Sequence, residues 1–347
     1  MQTETLLTKK QRKKVTLPVK QEYCFQPNRI TDSKYDYSLI QEKLFNTVIF
    51  QLQDAIKISY RNEDFQQLTI WKNIDTENQI NIKIPLRDIT KPNHYDSVKA
   101  ALKKLASIVV EIPVKNNMLR ITGLLTAEIP ETPDYNSTID IFIQRSVAKY
   151  LVEIDKDAYG KPIQWTYFMY QIAQNATNKY TSRIYKKLCS WKQKGGFTIS
   201  LENFRQWLSL GDKYDRFASI KERILIPVQN DLMGKADVWF NCHDKNFVTK
   251  EGNTVTHLHF KVITPELLET EEKLKDHVFF LLKTHFSFET GHIDQIMPIF
   301  DNTAPSRVIE KISEINEYCI ANNSKIADKT GYTIKCLLNE FCQSKLF

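Results

Sequence analysis

Two guanidinium groups seven residues apart, Arg216 and Arg223, with the Ser219 hydroxyl between them, carry the most legible chemistry in this chain. At about 100° per residue they share one side of a helix. A guanidinium donates from a planar fork that fits a phosphate or the O6/N7 edge of guanine. Phe217, Ile220, Ile224 and Val228 fall on the opposite side and can anchor the helix while the cations enter a major groove. Lys213 and Lys221 flank this face. Arg183, Lys186, Lys187, Lys192 and Lys194 surround an upstream helical segment and could grip the adjoining DNA backbone. Lys245 and Lys250 fall in a candidate wing, and Lys99, Lys103 and Lys104 lie on the corresponding helix of the first half.

A different chemistry competes with this one. His257-Leu258-His259 has the spacing of a metal-binding pair on one face of a strand, and Tyr332 precedes Lys335 as in a Tyr-x-x-Lys nucleophile motif. Together they would suit a rolling-circle nicking nuclease. Leu258, Phe260 and Val262, however, form the inward face of an ordinary strand, which leaves both histidines free to face solvent. The six cysteines are scattered without a CxxC pair, and no metal set surrounds them. Nine glycines never form GxxxxGK[ST], so no nucleotide cradle is expected. The expectation is a DNA-binding protein that is not an enzyme and needs no cofactor or metal.

Composition agrees with that class. The chain has 347 residues, 42% of them hydrophobic, and a net charge of +7. The charge is uneven: residues 161–263 carry a balance of +8, while residues 264–347 carry −4. A basic segment between neutral and acidic neighbours is the electrostatic footprint of a polyanion-binding module. No apolar run approaches the roughly 18 residues of a membrane span. The first residues lack the order of a secretory signal. A soluble, cytoplasmic protein is expected.

The elements that must position these residues follow from periodicity. Residues 1–34, with the basic run Lys9 to Lys14, read as a flexible arm. Residues 35–156 read as a first domain: a helix from Ser38, strands at 68–71 and 80–84, a helix capped by Asn93, a hairpin over 107–129, a strand at 137–144 and a short helix. Residues 157–264 repeat the order, with helices near 164–175, 180–193, 200–208 and 215–233. A hairpin pairing 236–242 with 254–263 closes this second domain. Pro227 should loosen the last helix. Residues 265–347 read as helical. The fold class expected is α+β, two tandem winged-helix domains with a helical C-terminal extension.

The second half also resembles a known family. Tyr180, Ser182, Arg183, Tyr185, Leu188, Ser200, Arg205, Tyr214, Arg216, Phe217, Lys221, Leu225 and Pro227 stand at positions matching the second winged-helix domain of the iteron-binding plasmid replication initiators, the Rep family. Ile220 and Val228 depart from the pattern and stay apolar. The resemblance implies monomers bound to direct repeats (iterons) in double-stranded origin DNA, both domains touching successive major grooves. It further implies origin opening with the host initiator DnaA and loading of the replicative helicase. A homodimer, formed through the first domain and in equilibrium with monomer, would bind an inverted repeat and repress the protein's own gene. A winged-helix repressor without a role in replication shares the same residues and stays open as an alternative.

Overall fold

The computed structural model describes residues 16–61, 79–91, 94–114, 116–301, 303–322 and 326–342. They divide between Val262 and Ile263 into two compact units. The basic run at 9–14 and the strand expected at 68–71 lie outside the described residues.

The expectation of an arm through residue 34 is corrected for residues 23–31. Tyr23–Pro27 is a strand, β1, and Asn28–Thr31 is one helical turn. The helix Leu39–Gln51 begins with a capping box: the Ser38 hydroxyl accepts the Gln41 N–H while the Gln41 side chain accepts the Ser38 N–H. Its buried face is Leu44, Phe45, Val48 and Ile49. A second helix, Gln53–Arg61, follows at once. β2 (Gln79–Pro85) buries alternate residues, and Ile80, Ile82 and Ile84 lie opposite isoleucines of a later strand. The helix Tyr95–Ala106 starts with His94 as its cap; the expected cap, Asn93, lies outside the described residues.

β3 (Val109–Val114) and β4 (Met118–Gly123) form the expected hairpin. Its turn places Asn116 and Asn117 at φ of 63° and 59°, the left-handed pair that matches strand twist and that asparagine tolerates. β5 (Thr126–Glu128) and β2 flank β6 (Thr138–Gln144), which supplies Ile139, Ile141 and Ile143 opposite the β2 isoleucines. The helix Arg145–Val152 completes this first winged helix.

The helix expected over 164–175 is half wrong. Trp165–Met169 is β7, paired antiparallel with β1, and only Tyr170–Gln174 is helical. The second winged helix then runs through the helix Thr181–Ser190, β8 (Gly196–Ser200) and the helix Leu201–Trp207. Ser200 caps the latter as expected, its hydroxyl accepting the Asn203 N–H at 3.1 Å. The last helix is continuous from Phe217 to Leu232 but contains a π-turn at Lys221–Leu225, which ends two residues before Pro227.

The closing hairpin is β9 (Val248–Glu251) with β10 (Thr254–Lys261), and β10 lies between β8 and β9. The expected strand at 236–242 is corrected. Ala236, Val238, Trp239, Phe240 and Cys242 are all buried and fill the core as an irregular segment. A strand lying on a one-sided sheet would have alternated.

What holds the two winged helices together is polar and buried. Arg183 is 3% exposed; its guanidinium donates to the carbonyls of Tyr35, Ser33 (2.8 Å) and Trp207 (2.5 Å) and stacks on the Tyr35 ring. Lys186 is 2% exposed and donates to Asn46 Oδ1 at 2.5 Å, while Asn46 Nδ2 donates to the Ser182 hydroxyl at 3.1 Å. Burial pushes the Glu42 carboxyl up and the Lys186 ammonium down, and each opposes the other's shift. Outside this core, Asp32 pairs with Lys187, and Asp36 pairs with Lys179 and Lys213.

The second unit is helical: Pro265–Phe286, Thr290–Ile296, Pro305–Ala321 and Lys329–Cys342. Val278, Leu282, Phe286, Ile296, Ile312, Ile315 and Leu337 form its core. No helix of the described residues is long and apolar enough to cross a membrane.

Glu42 and Lys186 are opposite charges buried within each other's field, and removing one leaves the other uncompensated, at about 3–5 kcal/mol. Lys186→Met should therefore lower the urea-unfolding stability by about that amount, and adding Glu42→Gln should recover much of the loss. Additive losses in the double variant would show that the two charges do not sense each other.

Candidate nucleic-acid interface

The last helix of the second winged helix presents its two faces as the sequence requires. Ile220, Ile224, Leu225, Val228 and Leu232 are fully buried, whereas Arg216 and Arg223 are exposed. Neither guanidinium has a hydrogen-bond or ion-pair partner among the described residues. Arg216 occupies the N-cap, with extended φ and ψ of −92° and 139°, so it stands at the helix tip rather than on its barrel. Ser219 and Lys221 are half-buried on the flanks. The preceding turn is tied down by Arg205, which donates to the carbonyls of Tyr214 (2.6 Å), Gly211 (2.7 Å) and Lys213 (3.0 Å).

The other expected contacts divide by exposure. Lys194, Lys245 and Lys250 are exposed, the first lying over the Trp191 ring. Lys103 and Lys104 are exposed on the helix Tyr95–Ala106, while Lys99 is half-buried and donates to the Glu131 carbonyl. Lys192 and Lys213 reach the surface but are paired with Asp237 and Asp36. Lys187 is mostly buried against Asp32. Arg183 and Lys186 are corrections: both are sealed inside the protein, where they bind carbonyls and Asn46 and cannot reach a phosphate. A basic residue on a helix reads as surface when the segment that covers it is remote in sequence.

The wing sheet depends on Gly196, which sequence reasoning missed. Its φ is 145°, and a Cβ there would lie 2.1 Å from the Phe260 carbonyl oxygen on the neighbouring strand. Phe260 stacks on Phe197 at 4.8 Å and meets Phe240 and Phe247 edge-on, so β8 and β10 are locked by the aromatic core beneath them.

His257 and His259 do share the outer face of β10, with Leu258 and Phe260 buried. The ring nitrogens of His259 lie 2.9 Å from the Thr198 hydroxyl and 2.7 Å from that of Thr249, bridging all three strands. Tyr332 stacks on Tyr318 in the helical unit. Among the described residues no group of three or more His, Cys, Asp or Glu is placed to hold a metal ion.

A second missed residue is Asp231. Its carboxylate accepts from the Thr177 N–H (3.0 Å) and hydroxyl (2.5 Å), the Asn178 N–H (3.1 Å) and the Thr181 hydroxyl (2.7 Å). Burial alone would push this carboxyl up; the four donors outweigh it and hold it below the ordinary carboxylate value.

Gly196→Ala should lower the thermal midpoint and weaken the near-ultraviolet dichroism of the aromatic cluster, at a loss of about 2 kcal/mol or more. An unaltered midpoint would mean that the strands can part without loss. For Asp231 the sign is that of a depressed acid. Its stabilisation is complete above the ordinary carboxylate range and fades as pH falls through its lower folded value. Wild type and Asp231→Asn should differ in urea midpoint at neutral pH and converge in acid; a constant difference would exclude this role.

Comparison with known proteins meets the same architecture. The family described as "Initiator Replication protein, WH1" matches residues 24–189, and "Initiator Rep protein, WH2" matches residues 200–262. Neither reaches the helical unit. A replication initiation protein of Escherichia coli is 23% identical over 244 residues, 69% of this chain and 68% of that one. The crystal structure of the Pi initiator protein in complex with iteron DNA shares the fold, with a TM-score of 0.51 and 14% identity over 70% of this chain and 98% of that chain. With both winged helices matched, in order, by the two domain models of one family, the chain belongs to the Rep replication initiators.

Proposed function

We propose that this chain initiates plasmid replication by binding iterons, repeated sites in double-stranded origin DNA, with the helix 217–232 in a major groove and Arg216, Ser219 and Arg223 reading bases. The observation that carries this reading is the pair of exposed, unmatched guanidiniums on a helix whose opposite side buries Ile220, Ile224 and Val228. Lys221 on that helix and Lys194 on the turn before β8 would meet phosphates, Lys213 and Lys192 would do so only by leaving Asp36 and Asp237, and Lys245 and Lys250 extend the contact along the wing. Lys103 and Lys104, with Lys99 beside them, would give the first winged helix a weaker backbone contact of its own. The Pi initiator, which shares this fold, was crystallised with iteron DNA.

On this reading, monomers on adjacent iterons distort the DNA, and with the host initiator DnaA they open the origin and load the replicative helicase in the bacterial cytoplasm. A homodimer joined through the first domain represses the protein's own gene from an inverted repeat. The exposed Val109, Leu119 and Ile121 of the β3–β4 hairpin support a self-association surface there. The two winged-helix domains at 35–156 and 157–264 and the extension at 265–347 would be its working parts.

Arg216→Ala with Arg223→Ala should abolish the preference for the cognate repeat over a scrambled duplex in a gel-shift titration, each bidentate contact being worth roughly 1–3 kcal/mol. Retained preference would remove this helix from base reading. The flanking DNA separates the repressor alternative, since direct repeats beside the gene favour an initiator and a lone inverted repeat a repressor.

A further inference from the structure

The helix 217–232 contains a defect that both its core and its sequence demand. Its most buried line steps by four residues at each turn, through Ile220, Ile224, Val228 and Leu232, with Leu225 and Gln229 buried beside it. A regular α-helix repeats every 3.6 residues, so such a stripe would drift by about 40° per step. The π-turn Lys221–Leu225, closed by the Ile226 N–H on the Lys221 carbonyl, absorbs the surplus residue. Pro227 fixes where the turn falls. It has no N–H for the carbonyl four residues back, Arg223, or for the one five back, Glu222.

The Arg223 carbonyl meets another donor instead, Asn178 Nδ2 at 3.5 Å. Asn178 is itself held at two points. Its Oδ1 accepts the Tyr180 N–H at 2.9 Å, which orients the amide, and its own N–H donates to Asp231 at 3.1 Å. Asp231 lies one turn beyond Pro227 on the same helix. The loop 177–181 therefore grips the helix beyond the π-turn and reaches back into the turn itself.

We propose that Asn178 is a positioning residue for sequence recognition: by holding the Arg223 carbonyl in the open π-turn, it sets the angle at which the Arg223 guanidinium leaves the helix beside Arg216. This rests on the reading of those arginines as base readers. If the turn closed to α-helical spacing, residues on its N-terminal side would rotate against the anchored end by up to one position, about 100°. A bidentate fork cannot follow such a rotation and keep both hydrogen bonds to one base.

Two substitutions in the full chain test this. Asn178→Asp keeps the oxygen that accepts the Tyr180 N–H but turns a carboxylate oxygen toward the Arg223 carbonyl. Pro227→Ala gives that carbonyl its own helical N–H and lets the turn close. Each protein is used to select from a randomised duplex library, then titrated against the wild-type-selected duplex and a scrambled one across a salt series, with thermal midpoints measured alongside. Asn178→Asp should lose discrimination by roughly tenfold with the salt slope retained. Pro227→Ala should select a different base at one position, with its midpoint held or raised. Equal weakening on both duplexes together with a lowered midpoint in both variants would show a merely structural role and overturn the proposal. Unchanged selection in both variants would overturn it while leaving the arginines as readers. A wild-type chain with no preference for any duplex would remove the base-reading interpretation and this proposal with it.

Discussion

A guanidinium and an ammonium sealed between two winged helices are the constraint on which the first unit depends. Taking either charge out of water is expensive unless nearly all of its donors find partners. Arg183 meets this with three backbone carbonyls and a tyrosine face, Lys186 with Asn46 and the field of Glu42. The partners come from the first winged helix, from the segment 33–35 and from Trp207 of the second. Sliding one domain over the other would leave several of these groups unsatisfied at once. A hydrophobic interface of equal area would tolerate such sliding far better, because dispersion and burial are not directional. The separation between the helices Tyr95–Ala106 and 217–232 is therefore fixed by chemistry remote from both.

The same cluster explains what the sequence could and could not show. Ser38 with Gln41, Ser200, the isoleucines of β2 and β6, and the Asn116-Asn117 turn all act within a few residues of themselves, so pattern alone exposes them. Arg183 has no such local signature. Its burial requires Ser33 and Tyr35, some 150 positions away, and its place in a basic helix suggests a surface contact instead. β7 fails for the same reason: Trp165–Met169 becomes a strand because β1 lies beside it. The irregular stretch 236–242 misleads differently, since an apolar run resembles a strand until its neighbours show that it is enclosed on all sides.

The proposed reading site is more legible because it depends on one helix. Arg216 and Arg223 against Ile220, Ile224 and Val228 is a statement about a single wheel, and the structure keeps those two sets apart. What the wheel could not give was the π-turn. A stripe spaced by fours and a proline three residues past its second member are both visible in the sequence, yet each is individually compatible with a plain helix. Their conjunction is what favours the wider turn, which meets the core spacing and relieves the proline at one point.

Much of the positive charge is matched within the fold. The +8 of residues 161–263 includes Lys179, Arg183, Lys186, Lys187, Lys192 and Lys213, and each of these is engaged within the protein. Matched charges contribute little to the field beyond a screening length of about 8–10 Å. The attraction for a polyanion is then carried by fewer cations, chief among them Arg216, Arg223, Lys194, Lys245 and Lys250, set on the last helix, the turn before β8 and the wing. A smaller set of unmatched cations binds non-specific DNA less strongly than the raw total suggests, because each phosphate contact adds its own counterion-release contribution. Sequence-dependent contacts lose nothing by this. The balance of charge therefore favours selectivity, and the cations spent on holding the two winged helices together help to set it.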